Sequence, residues 1–369
     1  MTVGGTLGHV HGAIAIAQAY RRHVADADVR LIGPEEESAH GAVRESGFAF
    51  TSIPSAPIAR QSVFGKLRGL ARTATGVARA RAELSAHGTQ LVIGCGGYAS
   101  APTVLAARSL GLPTVLYEAN VIPGLANRAL RHFARRIYLG WPEARSAFSQ
   151  LSCEVTGNPL LEELIQSAQR RQERGRLELL VLGGSQGSPF LDDQVPALAG
   201  ALAAMGLQLR VQHQTGNGDT DGVRARYEAV AVEADVVRHF DDMATAYGGA
   251  SFAVTCAGAM TLNELASFGV PALVVPLREA AGRHQDANAS VFANATGCPV
   301  IAEDEWRTEQ AARRVAALLT DRPRLQQMSQ RVSALCQPEA AGRIVRDCEA
   351  LLCASPSPSP VQTRRWQGR

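Results

Sequence analysis

Residues 251–276 read SFAVTCAGAMTLNELASFGVPALVVP. A short apolar run ends in a small-residue turn. A helical pattern carrying Glu264 follows, and Gly269 and Pro271 return the chain to a second apolar run. A β–turn–helix–β unit of this kind gathers backbone N–H groups and the positive end of a helix dipole at one spot. That spot attracts an anion, and a carboxylate one turn into the helix can hold a sugar hydroxyl beside it. The stretch therefore predicts an α/β fold with a nucleotide-sugar site. Thr261-Leu262-Asn263-Glu264 also fits the S/T-x-x-E capping box. Glu264 cannot fill both roles in one rotamer.

Outward from this stretch, strand-like and helix-like patterns alternate. Apolar, β-rich runs fall at 29–32, 91–93, 114–116, 137–139, 177–182, 209–212, 251–254 and 272–275, with helical patterns between them at 12–22, 102–110 and 125–133. Near-continuous apolar strands alternating with helices predict parallel sheets covered on both faces. Gly4-Gly5-Thr6-Leu7-Gly8 precedes a helix near the start, and Gly183-Gly184-Ser185-Gln186-Gly187 follows a clear strand near the middle. Two phosphate-type turns half a chain apart predict two Rossmann-like, doubly wound domains facing each other across a cleft. The expected division is 1–158 and 159–335, with a last helix within 336–353 and a Ser/Pro/Arg-rich, disordered tail over 354–369. Only Met1-Thr2-Val3 precedes the first glycine turn. That predicts a truncated first strand, or a true start upstream, and a first sheet less stable than the second.

Bulk numbers narrow the function classes. The chain has 369 residues, 46% hydrophobic and 19% charged, which suits two soluble domains that each bury a core. No apolar run is long enough to span a bilayer, and no secretory signal is visible. Cys95, Cys153, Cys256, Cys298, Cys336, Cys348 and Cys353 are odd in number and never form a C-x-x-C pair. That argues against a disulfide framework or a zinc site and predicts a reducing, cytoplasmic setting. A net charge of +3 is too small to imply a nucleic-acid partner. Charge is uneven, however. Residues 46–82 contain no acid but hold Arg60, Lys66, Arg68, Arg72, Arg79 and Arg81, interleaved with Phe64, Leu67 and Leu70. Arg128, Arg131, Arg135 and Arg136 form a second cluster. Basic segments with apolar side chains suit an anionic membrane surface, or else a solvated helix in a protein that favours arginine.

The remaining candidates lie at strand ends. His9 opens the helix after the first glycine turn, where it can act as a general base, bind a phosphate or simply cap the helix. Gly94-Cys95-Gly96-Gly97-Tyr98-Ala99-Ser100 packs three glycines into four positions, which points to close approach of a bulky anion. Glu118 and Asn120 follow the strand at 114–116, where polar residues face the ligand crevice. For Glu118, helix capping is an equal reading. Ser185 and its glycines form a compact anion nest. Gln285, in Arg283-His284-Gln285-Asp286-Ala287-Asn288, offers a donor and an acceptor to sugar hydroxyls or leads a polar loop into a helix. Asp241 and Asp242 are adjacent, so their carboxylates diverge. Nothing else calls for a metal or another cofactor, so leaving-group charge falls to helix dipoles and N–H groups.

Read together and in order, the blocks GGTLGH, GCGGYASAP, LYEANVIPGLANRAL, VTGNP, VLGGSQG, HQTGNG, HFDDM, CAGAMTLNELASFGVPALVVP and RHQDAN resemble the MurG family over nearly the whole chain. These glycosyltransferases add N-acetylglucosamine to the lipid-linked muramyl-pentapeptide precursor of peptidoglycan. The resemblance implies GT-B architecture, inversion at the anomeric carbon, UDP-N-acetylglucosamine as donor and work at the cytoplasmic face of the membrane. It implies that Glu264 binds ribose and that the 240–243 stretch, led by Phe240, holds uracil. It gives Gly184, Ser185 and Gln186 the diphosphate, and Ala259, Met260 and Thr261 the helix start beneath it. Gln285 and Asn120 become contacts to the transferred sugar. Thr6, Gly8, Gly96, Gly97 and Tyr98 fall on the acceptor side, with His9 and Glu118 as catalytic candidates. The 64–81 segment is similar in place to the family's membrane-docking surface. Leu7, Leu161 and His284 depart from the family's Gly, Arg and Gln, and Tyr117 and Ala119 from the His and Gln around Glu118. The rival readings are a related transferase with another acceptor and a non-catalytic UDP-sugar- or lipid-binding paralogue.

Overall fold

In the first half, the apolar runs become β1 (Arg30–Gly33), β3 (Val92–Gly94), β4 (Thr114–Glu118) and β5 (Arg136–Leu139), and two further strands, β2 (Ala49–Ser52) and β6 (Cys153–Val155), join them. In the computed structural model, which describes residues 1–4, 7–34, 37–56, 63–148, 151–170, 177–278 and 283–354, all of these strands run parallel. The three residues before the first glycine turn complete the sheet. Thr2 bridges Ile32 on one side and Gly94 on the other, which gives the order β2-β1-(Thr2)-β3-β4-β5-β6. Helices α1 (Leu7–His23), α2 (Glu37–Glu45), α3 (Val63–Ala86), α4 (Ser100–Ser109) and α5 (Leu125–Leu130) connect these strands.

The second half contains α6 (Glu162–Gln169), β7 (Leu177–Leu182), α7 (Pro189–Ala204), β8 (Leu209–Gln214), α8 (Thr220–Ala229), β9 (Ala234–Val237), α9 (Met243–Gly249) and β10 (Phe252–Thr255). It continues through α10 (Ala259–Phe268), β11 (Ala272–Val274), α11 (His284–Thr296), α12 (Thr308–Thr320) and α13 (Arg322–Ser333). Its parallel sheet has the order β11-β10-β7-β8-β9. Both halves thus start at the middle of the sheet, build outward to one edge, and then cross back. The crossing point lies between Thr2 and β3 in the first lobe and between β7 and β10 in the second. Loops at such a switch point splay apart and open a crevice at the carboxyl ends of the strands.

Each lobe has its own core. Strands β7, β8 and β10 centre the second, with Leu180, Val181, Val211, Ala253 and Val254 fully buried. The last helix, α14 (Ala340–Cys353), packs its Ala341, Ile344, Val345 and Cys348 into the first lobe's core against α1. Tyr138 on β5 fixes it by donating to Asp347 Oδ2 at 2.7 Å, and Arg136 pairs with the same carboxylate. The chain therefore crosses between lobes twice.

Candidate active site

The second lobe supplies one wall. Loop 183–187 leaves β7, and the 256–258 turn leaves the neighbouring β10, where Leu182 lies opposite Thr255. The two turns touch, since a Cβ on Gly184 would come 3.5 Å from Cys256 Sγ. Gly184 and Gly187 adopt φ of +80° and +82°, and Gly187 N–H donates to Gly184 C=O at 3.2 Å, closing a tight turn. The turn is buttressed by the loop after β8. Asn217 donates through its backbone to Gln186 C=O at 3.1 Å and through Nδ2 to Gln186 Oε1 at 2.9 Å. A Cβ on Gly187 would lie 1.9 Å from Thr215 C=O, so only glycine permits the interlock. Ser185, at the tip, is half-buried.

Helix α10 starts at Ala259 after Gly258, and no side chain caps it. Thr261 is its third residue, so the capping-box arrangement does not form. Glu264 turns instead toward α9, where Tyr247 OH donates to its Oε2 at 2.6 Å. Burial and the Glu264 carboxylate hold the Tyr247 phenol well above its ordinary pKa, so it stays protonated and donates. Across the crevice, His11 Nδ1 of α1 stands 3.9 Å from Glu264 Oε1. Phe240 follows β9, and its N–H donates to Gln214 Oε1 at 3.1 Å.

The first lobe supplies the facing wall. Leu7 and Gly8 open α1, and Gly8 abuts the start of α10, where an added Cβ would approach Met260 Cγ to 3.5 Å. Thr6 and the side chain of Leu7 lie outside the described residues. His9 sits against Gly96, whose φ is +89°; a Cβ there would meet His9 Cδ2 at 2.9 Å. Close approach of this imidazole, rather than of a ligand alone, explains that glycine. Gly97 has φ +73°, Tyr98 is half-buried, and Ser100 Oγ ties the loop by donating to Gly96 C=O at 2.5 Å. Burial lowers the His9 pKa below its ordinary value, with nearby Glu118 opposing and His284 reinforcing the shift. The imidazole is therefore neutral near pH 7 and able to accept a proton. Burial pushes Cys95 up to about 12 and Cys256 to about 11, so neither loop holds a thiolate nucleophile.

Glu118, Asn120 and Gln285 each make bracing hydrogen bonds at the strand ends. Glu118 Oε1 accepts from Asn120 N–H at 2.9 Å and Asn120 Nδ2 at 3.2 Å. Its Oε2 accepts from Gly124 N–H at 3.0 Å and Asn127 Nδ2 at 2.9 Å. The buried carboxylate thus organises the whole 119–124 loop. Gln285 Oε1 accepts from Ala257 N–H and Leu277 N–H, each at 3.0 Å, and so clamps the ends of β10 and β11.

The sequence reading missed the residues that join the lobes. Fully buried Asn288 accepts from Val121 N–H at 2.9 Å and donates to Asn120 Oδ1 at 3.1 Å and Ala257 C=O at 3.0 Å. Tyr117 OH donates to Asn158 Oδ1 at 2.6 Å, and Asn263 Nδ2 of α10 donates to Asn158 C=O at 2.9 Å. Leu161, at the start of α6, packs against the cores of both lobes. Asn288 and Asn158 lay inside quoted motifs, but the partners that give them meaning are far away in the chain.

Two doubly wound lobes with opposed switch-point loops, an uncapped helix start and a fixed carboxylate define the GT-B architecture of nucleotide-sugar enzymes. Residues 1–139 match the glycosyltransferase family 28 N-terminal domain and residues 178–344 its C-terminal domain. The chain is 36% identical over 346 residues to the UDP-N-acetylglucosamine–N-acetylmuramyl-(pentapeptide) pyrophosphoryl-undecaprenol N-acetylglucosamine transferase of Syntrophotalea carbinolica, covering 94% of this chain and 96% of that protein. The crystal structure of Acinetobacter baumannii MurG superimposes with a TM-score of 0.75 at 25% identity, covering 95% of this chain and 98% of that one. A putative UDP-N-acetylglucosamine 2-epimerase from Listeria monocytogenes shares the fold alone, with a TM-score of 0.69, 14% identity and 97% of each chain covered. The chain belongs to the MurG family of glycosyltransferases.

Proposed function

We propose that this protein transfers N-acetylglucosamine from UDP-N-acetylglucosamine to the C4 hydroxyl of undecaprenyl-pyrophosphoryl N-acetylmuramyl-pentapeptide, with inversion, in peptidoglycan synthesis. The observation that carries this reading is the convergence of loop 183–187, the start of α10 and Glu264 on one wall, with His9 on the other. The acceptor oxygen attacks the anomeric carbon as His9 takes its proton. The bond to UDP breaks, and its electron pair stays on the departing diphosphate. Gly184, Ser185 and Gln186 cradle that diphosphate, and the amides of Ala259, Met260 and Thr261 meet its charge. Glu264 holds ribose, and Phe240 borders uracil. The amide NH2 of Gln285, which also donates to the Cys256 thiol, meets the sugar with its second hydrogen, because its carbonyl already clamps two strand ends. Asn120 acts on the sugar through its loop. Gly8, Gly96, Gly97 and Tyr98, with Thr6, border the acceptor pyrophosphate. Glu118 is a positioning residue beneath His9.

The division at 1–158 and 159–335, with 336–353 returning to the first lobe, accompanies this reading. Association with an anionic membrane at its cytoplasmic face belongs to it as well. Leu125 on α5 is 67% exposed, and Ile122 and Phe133 flank it in the open beside Arg128, Arg131 and Arg135. Such a patch suits acyl chains bordered by anionic headgroups. Among the described residues no helix is long and apolar enough to cross a membrane. The side chains of Phe64, Lys66, Leu67, Arg68 and Leu70 lie outside the described residues. The deciding experiment follows radiolabelled N-acetylglucosamine from UDP onto a short-chain lipid-pyrophosphoryl muramyl-pentapeptide. Donor binding without transfer would defeat the proposal.

A further inference from the structure

We propose that His11, on the first lobe, is a donor-recognition residue that shares one ribose hydroxyl with Glu264; this rests on the reading of Glu264 as the ribose carboxylate. Tyr247 takes Oε2 at 2.6 Å and so fixes which oxygen faces the crevice. That oxygen, Oε1, has His11 Nδ1 3.9 Å away. The gap is too long for a direct hydrogen bond. A hydroxyl oxygen about 2.8 Å from both atoms fits at the apex, with an angle of roughly 90° between the two contacts. The chemistry is complementary. An ionised carboxylate only accepts, so the hydroxyl must give it the proton and is left with lone pairs. An imidazole N–H opposite is the group that fills them.

Exposure and attachment favour the same arrangement. The His11 side chain is 30% exposed and that of Glu264 10%, so a ligand reaches both while little water competes. His11 sits in the first turns of α1, which rests against the start of α10 through Gly8 and Met260. A ribose held this way is gripped by both lobes at once. Binding the nucleoside then selects the approach of α1 to α10 that brings His9 to the reaction centre.

The test measures binding of UDP-N-acetylglucosamine and its 2′-deoxy and 3′-deoxy ribose analogues by calorimetry. Wild type, His11→Phe, His11→Asn and Glu264→Ala are compared, with melting curves to verify folding. One hydrogen bond sets the scale, so His11→Phe weakens the intact donor about 5–20-fold. His11→Asn, which keeps a side-chain N–H, recovers most of that. Toward the analogue lacking the shared hydroxyl, His11→Phe and wild type bind alike. An equal loss for all three donors, or no loss for the intact one, overturns the clamp while leaving Glu264 with its role. Unchanged donor affinity in Glu264→Ala overturns the ribose reading itself, and the clamp with it.

Discussion

At the scale of single residues, the site turns on a neutral imidazole held against a glycine. Burial favours uncharged His9, so between its lowered pKa and the ordinary value near 6.5 the unfolded chain binds more protons than the folded one. Stability therefore rises with pH through that window and is lost as pH falls through it. The rate follows the same group, and kcat/KM should show an acid limb with an apparent pKa below about 6.5. His9→Asn should erase that limb and lower kcat by roughly 10²–10⁴-fold, the usual worth of a general base. A limb that survives in this variant would move the base elsewhere. Gly96→Ala tests the seat of the ring. Its φ of +89° and a Cβ 2.9 Å from His9 Cδ2 predict a displaced imidazole and a loss of stability of about 1–3 kcal/mol. Donor affinity should remain near wild type, because a Cβ on Gly96 meets His9 and Asn127 and reaches neither His11 nor Glu264.

At the scale of elements, the paired helices α9 and α10 set the orientation of Glu264. Tyr247→Phe removes the donor at 2.6 Å and leaves the carboxylate free to turn away from the crevice. The KM for UDP-N-acetylglucosamine should rise about 3–10-fold with kcat nearly kept, as expected for loss of roughly 1 kcal/mol of fixed hydrogen bonding. Steady-state kinetics with varied donor decides this, and a fall in kcat alone would count against the assignment. Which elements were legible follows from burial. Central strands such as β7 and β10 are covered on both faces, so their apolar runs stand out in the sequence. The edge strands β2, β6 and β9 (AFTS, CEV and ADVV) were not foreseen, because each is only partly covered and carries no apolar run. The helical pattern at 125–133 divides into α5 and a 3-10 turn at Arg131–Phe133. Glycine-rich turns were legible because positive φ demands a particular residue. Glu118 and Glu264 were not resolved by spacing alone, since a capping carboxylate and a ligand carboxylate occupy the same position in a motif.

At the scale of the whole molecule, catalysis requires that His9 and the donor wall meet, and buried amides rather than a broad apolar face make the closest polar links between lobes. No local pattern reveals them: Asn120 and Asn288 are separated by 168 positions. Asn288 is fully buried and makes three bonds, two to the 120–121 loop of the first lobe and one to Ala257 beside α10. Removing its side chain leaves Val121 N–H and Ala257 C=O without that partner. At about 1–3 kcal/mol per orphaned buried group, partly offset by entering water, Asn288→Ala should cost about 2–4 kcal/mol of stability. The distinctive consequence lies in coupling. With the strap gone, the lobes sample more open arrangements, and the donor must first draw them together. Donor affinity should fall several-fold, small-angle scattering of the free protein should report a larger radius of gyration, and saturating donor should reverse much of that expansion. A variant that melts earlier yet keeps wild-type dimensions and donor affinity would mean that Asn288 only fills space, and that the lobes are held by the Tyr117–Asn158–Asn263 chain and the apolar bridge at Leu161 instead.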